Sequence, residues 1–148
     1  MDGWLAEKIQ AREQQQRHAE IIKAETGAIW KGLTASVFES VKQYRERYPE
    51  NAPPYDRVIT NPEVYVHNEF RITVVDFRDM PMATPSRRHS VTVKLDRDRC
   101  AISTDSGTLF EVGVGQNSQA CLLVDGNEIM LEGATQRILA PVLFPDLK

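Results

Sequence analysis

The chain has 148 residues, 41% of them hydrophobic and 26% charged, and a net charge of −3. That size and balance fit one globular domain with a substantial core. They argue against a general nucleic-acid binder, which carries a clearly basic domain, and no apolar run approaches the ~20 residues of a membrane span.

The chain opens Met1-Asp-Gly-Trp-Leu-Ala-Glu-Lys8. It lacks the basic and apolar regions of a secretory signal, so a cytoplasmic location is the default expectation. Residues 3–25 read as a helix with little to bury. Leu5, Ile9, Ile21 and Ile22 are its main apolar anchors, and the polar run Gln10–His18 separates them. An isolated helix of this kind is marginal in water. Residues 1–25 are therefore assigned as a polar helical extension, either solvated or docked on a partner or a second copy. Thr26-Gly27 marks a candidate joint, and residues 26–148 are assigned to a single α+β domain.

From Trp30 the pattern strengthens. Trp30, Leu33, Val37, Val41, Tyr44 and Tyr48 recur three or four residues apart, the spacing of one helix face. Pro49, Pro53, Pro54 and Pro62 then mark a connecting segment.

Strand signal begins at Val64. Val64, Val66, Asn68, Phe70, Ile72 and Val74 alternate over one long bent strand or over a hairpin turning near Asn68-Glu69. Residues 78–89 form a long gap, and long connections are more often functional or mobile. Three hairpin signals follow. A four-residue loop at Asp96–Arg99 sets Leu95 opposite Cys100 and Val93 opposite Ile102. Asp105-Ser-Gly107 suits a type I turn with a glycine bulge, pairing Ile102 with Phe110. Asp125-Gly126 suits a two-residue turn, pairing Leu122 with Ile129 and Ala120 with Leu131. Loop 115–119 sets Val114 opposite Ala120.

These pairings place Val91, Val93, Leu95, Cys100, Ile102, Phe110, Val112, Val114, Ala120, Leu122, Val124, Ile129 and Leu131 on one inner face. Cys121 then points away from Cys100, which excludes a disulfide between them. Ile138, Leu139, Val142 and Leu143 suit a short helix kinked or broken by Pro141. The predicted fold is α+β: an N-terminal amphipathic helix packed on a five- to six-stranded antiparallel meander, then a short C-terminal helix. The plan resembles cystatin-like, NTF2-like and small secretion-chaperone folds in outline, and no motif selects among them.

Chemistry is sparse. His18, His67 and His89 form no Asp-His-Ser or HxxxH arrangement. Cys100 reads as a small core hydrophobe, and Cys121 has no adjacent cation to activate it. Gly113-Val-Gly115 is not followed by the Lys-Ser/Thr or helix of a phosphate loop. No catalytic residue, metal or cofactor is assigned, and the reading leans away from an enzyme.

Arg87, Arg88, Lys94, Arg97 and Arg99 outnumber Asp96 and Asp98, but no aromatics interleave for base stacking. A solvated hairpin with local ion pairs is the plain account. Contact with an acidic partner, or with phosphate through these arginines, is the sharper one. On the other sheet face Cys121 sits beside Met130, and Leu123 beside Glu111 and Glu128. Partial apolarity there suggests cover, either by the N-terminal arm or by a partner.

The leading expectation is a non-enzymatic protein-interaction or adaptor/chaperone-like module, acting on a protein partner or itself as a homodimer. Its candidate binding residues are Arg87, Arg88, His89, Cys121, Leu123 and Met130. Membrane association is not expected, and nucleic-acid binding is disfavoured. The alternative is a small-ligand domain, catalytic or not, with a pocket between helix and sheet lined by Trp30, Tyr44 and Phe110.

Overall fold

The computed structural model describes residues 2–47, 57–59, 63–66, 68–76 and 87–145. Helix α1 spans Gly3–Arg47, about 67 Å at 1.5 Å per residue. It buries Thr26, Trp30, Leu33, Val37 and Val41, the face the spacing predicts. Tyr48 and Pro49–Pro54 lie outside the described residues.

The candidate joint at Thr26-Gly27 does not form. Instead of capping a new helix, Thr26 Oγ1 donates to the Ile22 carbonyl one turn back, at 2.6 Å. The change near residue 26 is one of burial, not of backbone. Residues 2–17 are exposed throughout.

The strands are β1 Arg57–Ile59, β2 Glu63–Val66, β3 Glu69–Asp76, β4 Arg87–Asp96, β5 Ala101–Thr104, β6 Leu109–Val114, β7 Ala120–Val124 and β8 Asn127–Ile129. Strands β3 to β8 run as a six-stranded antiparallel meander. Both β1 and β2 pair with the outer edge of β3, at opposite ends of that strand. The segment 63–76 is therefore a hairpin rather than one bent strand. Residues 57–59, expected within a connecting segment, form a short strand in its proline-free part. Strand β4 starts at Arg87, inside the predicted 78–89 gap. Residues 77–86 of that gap lie outside the described residues.

The inner face forms as expected, with one corrected register. Leu95 pairs with Ile102 and Val93 with Thr104, not with Cys100 and Ile102. The turn is residues 97–100. Asp96 Oδ1 accepts the N–H groups of Asp98 (3.1 Å) and Arg99 (3.2 Å), and Cys100 takes a left-handed conformation, φ 51°. An Asp holding the turn from its own strand end moves the loop one residue on and slides the partner by two. A two-residue slide preserves which face each side chain occupies. Ile102 therefore stays in the core, and Cys100 becomes a half-buried turn residue whose thiol donates to the Arg97 carbonyl (3.5 Å).

The other turns match. Gly107 has φ 97°, with Thr104 N–H donating to Thr108 O at 3.0 Å. Asp125 and Gly126 have φ 53° and 82°, as a two-residue hairpin turn requires.

The pairing of Ala120 with Leu131 does not occur. Strand β8 ends at Ile129, and Leu131 opens helix α2, Leu131–Leu143. That helix buries Ala134, Thr135, Ile138, Leu139, Val142 and Leu143. It is not broken at Pro141. The proline lies two residues from the helix end, so little of the helix follows the lost N–H.

Both helices join one core. Helix α1 lies against β6 and β7, and α2 against β3 and β4. Trp30 and Phe38 of α1 also meet the ring of Phe70 on β3, at 5.5 and 5.3 Å between centroids.

The helices run side by side in the same direction. Gly32 faces Leu131, Ser36 faces Thr135, and Tyr44 stacks edge-on with Phe144. Thr135 Oγ1 donates to the Leu131 carbonyl at 2.8 Å, so in the 2.7 Å contact between the two hydroxyls Ser36 is the donor. Gly32, Ser36 and Ser40 make a stripe of small side chains that lets α2 approach closely. A Cβ at Gly32 would stand 3.1 Å from Leu131 Cδ1.

Candidate functional site

The structure does not gather the six candidate binding residues into one site. Arg87 lies opposite Asp76 at the start of β4. Arg88 is exposed, and His89 is half-buried opposite Val74. Cys121 and Leu123 sit on β7, three strands from β4, a separation of about 14 Å at the usual strand spacing. Met130 is the N-cap of α2 and 79% exposed. It does not pair with Cys121 in a ladder.

The basic hairpin resolves into local contacts. Lys94 lies 3.6 Å from Glu69 and Arg99 3.8 Å from Asp96, while Arg97 Nε donates to Asn68 Oδ1 at 3.2 Å. Such surface pairs contribute about 0–1 kcal/mol each. His67 lies outside the described residues, and His18 is half-buried on α1.

On the outer sheet face, Leu123 folds across β6, where Gly113 leaves the space. A Cβ at Gly113 would fall 2.5 Å from Leu123 Cδ1. Glu128 closes on Gly115 in the same way and accepts the Gln116 N–H at 2.9 Å. The Gly-Val-Gly run thus makes room for two side chains of the sheet itself, and it accounts for the half-buried apolar surface there. The extension does not supply the cover.

Burial, with the Glu128 carboxylate close by, pushes the Cys121 thiol above its ordinary range. A raised value means less thiolate at neutral pH. Alkylation of the Cys121 peptide in the folded protein, followed by mass spectrometry, is expected to be slower at pH 7.5 than in the urea-unfolded chain. Glu128→Gln is expected to speed it. Equal rates in the folded and unfolded chain would contradict this environment.

The pocket residues fare differently. Trp30 and Phe110 are core side chains, 6% and 0% exposed, and Tyr44 is half-buried against Phe144. A cavity of about 750 Å³ does lie beside α2, lined by Ser40, Thr135, Leu139, Pro141, Phe144 and Pro145 among others. None of the three expected residues borders it. No group of three or more His, Cys, Asp or Glu side chains suited to a metal ion occurs among the described residues.

The most unusual surface is the first third of α1. Trp4 is 64% exposed, Leu5 39% and Ile9 41%, on a helix that projects past the domain. Residue composition points to this extension. Its continuity with the core helix is hidden in the sequence, because Thr26-Gly27 imitates a boundary. No described helix is long and apolar enough to cross a membrane.

Comparison with known proteins identifies no relative: no family model, no curated protein and no solved structure matches the chain.

Proposed function

We propose that this protein is a non-enzymatic interaction module in which a compact α+β domain presents residues 3–20 of α1 as a docking arm. One observation carries the reading: the arm continues a helix whose later turns are core, yet it contributes no buried residue before Thr26. A polar helix that buries nothing is costly to keep folded alone, whereas the anchored half already supplies its nucleus. The exposed Trp4, Leu5 and Ile9 give the arm apolar contact points, and Trp is enriched among the residues that dominate binding energy.

Removing residues 1–20 tests the reading. The shortened chain is expected to unfold cooperatively, with a midpoint within a few degrees of the full chain under conditions where both are monomeric. Loss of cooperative folding would make the arm part of the fold and end the proposal.

A further inference from the structure

The turn between β4 and β5 brings a cation onto α1. A Cβ at Gly27 would stand 3.8 Å from Arg97 Nη1. The guanidinium is held there through Nε, which donates to Asn68 Oδ1 at 3.2 Å. Asn68 is neutral, so it fixes the position of the charge without cancelling it. Lys23 and Lys31 lie four residues to either side of Gly27 on the same helix row, each about 6 Å away along the axis. All three cations are exposed, and none forms an ion pair with another described residue. The positions three and four from Lys31 hold Gly27, Ala28, Thr34 and Ala35, and the one acid at those spacings from Lys23 is Glu20.

Gly27 is a second, independent sign. A glycine inside a helix is less stable than an alanine, and 3.8 Å is ordinary van der Waals distance, so an alanine would fit. Gly32 differs, because Leu131 stands at 3.1 Å there. The packing of the chain does not require a glycine at 27, yet the glycine leaves bare backbone at the centre of the three cations.

We propose that Lys23, Arg97 and Lys31, with Gly27 as the floor between them, dock an acidic segment of a partner protein at the base of the arm. This rests on the reading of the arm as a docking element and names the chemistry of its partner. Like charges gathered at one place select carboxylates and reject a basic partner. A short acidic segment is favoured over nucleic acid for two reasons. The chain's net charge of −3 repels a long polyanion, whereas a short segment feels mainly the local field. The row Lys23, Gly27, Lys31 also offers no aromatic side chain for a base to stack on. A few exposed ion pairs bind weakly, so a Kd of about 1 mM is expected at low salt.

Amide chemical-shift titration of the full chain with an end-capped decaglutamate peptide, in about 20 mM salt, tests this. The expected result is a saturable change confined to residues near 23–31, 68 and 97–99, weakened several-fold at about 150 mM salt. Arg97→Ala should weaken binding about fivefold, the effect of losing one exposed pair. Lys23→Glu with Lys31→Glu should abolish it, while Lys8→Glu, far out on the arm, should leave it within about twofold. Gly27→Ala should raise the thermal midpoint by about 2–4 °C yet weaken the peptide, because its methyl covers the floor. Circular dichroism of each variant checks that the fold is retained. Shifts that do not saturate, or that survive Arg97→Ala and the double lysine variant, overturn the site. So does a Gly27→Ala protein that is less stable than the parent or binds equally well. Tighter binding of a decathymidine strand than of the peptide at the same residues overturns the acidic-protein assignment. None of these results touches the arm itself: the docking reading falls instead if the chain lacking residues 1–20 fails to fold cooperatively.

Discussion

Phe70→Ala is expected to cost about 3–5 kcal/mol, the range for truncating a buried aromatic. Phe70 is 1% exposed and stands where β3 closes against α1. Its ring packs on Trp30 at a tilt and on Phe38 edge-on. Truncation therefore removes two aromatic contacts and leaves a cavity between β3 and α1. For a domain of this length each kcal/mol shifts the midpoint by roughly 2–4 °C, so a loss of about 6–20 °C is expected in thermal unfolding. Glu13→Ala on the exposed arm serves as the comparison and should stay within about 0.5 kcal/mol of the parent under monomeric conditions. A Phe70→Ala protein as stable as the parent would show that α1 is not fixed on the sheet by this contact.

Ser36→Leu is expected to cost about 1–3 kcal/mol by overpacking, before the lost hydrogen bond is added. Ser36 belongs to the small-residue stripe that seats α2 on α1, and its hydroxyl donates to Thr135. A leucine there must push the helices apart or turn away from α2. Ser36→Ala keeps the close approach and loses only the hydrogen bond, about 1 kcal/mol. Urea unfolding of both variants separates the two contributions. Equal costs for Leu and Ala would mean that the helices are not in close contact at this level.

Much of the sheet is legible in the sequence because β faces are protected by parity. The pairing expected through Asp96–Arg99 is off by two residues, yet Ile102 still falls on the inner face, since only an odd slip reverses the faces. What sequence alone does not show is the role of the Asp96 carboxylate, whose two backbone hydrogen bonds decide which four residues make the turn. The start of α2 is hidden for a related reason. Ile129 and Leu131 are two residues apart and so fit one strand face, and Met130 offers no side-chain cap to announce a helix.

The α1–α2 contact escapes a sequence reading because Gly32, Ser36 and Ser40 lie outside the apolar stripe and read as a polar flank. Their four-residue spacing is the signal that could have found it. The candidate site divides in the same way. The exposed arm can be read from composition, because nothing between Ile9 and Ile21 offers enough apolar surface to bury. The six proposed binding residues could not be grouped, because their grouping needs distances across three strands. The outer-face apolarity reads as a sign of cover from outside, but Gly113 of β6 lets Leu123 settle onto the sheet itself.

The central claim is that one continuous helix is core from residue 26 onward and arm before it. Native-state hydrogen exchange on the full chain, at a concentration low enough to keep it monomeric, tests this residue by residue. The account predicts that amides of residues 30–41 exchange only through global unfolding, while those of residues 5–17 exchange through local fraying, orders of magnitude faster. Protection of residues 5–17 equal to that of residues 30–41 in the monomer would contradict it.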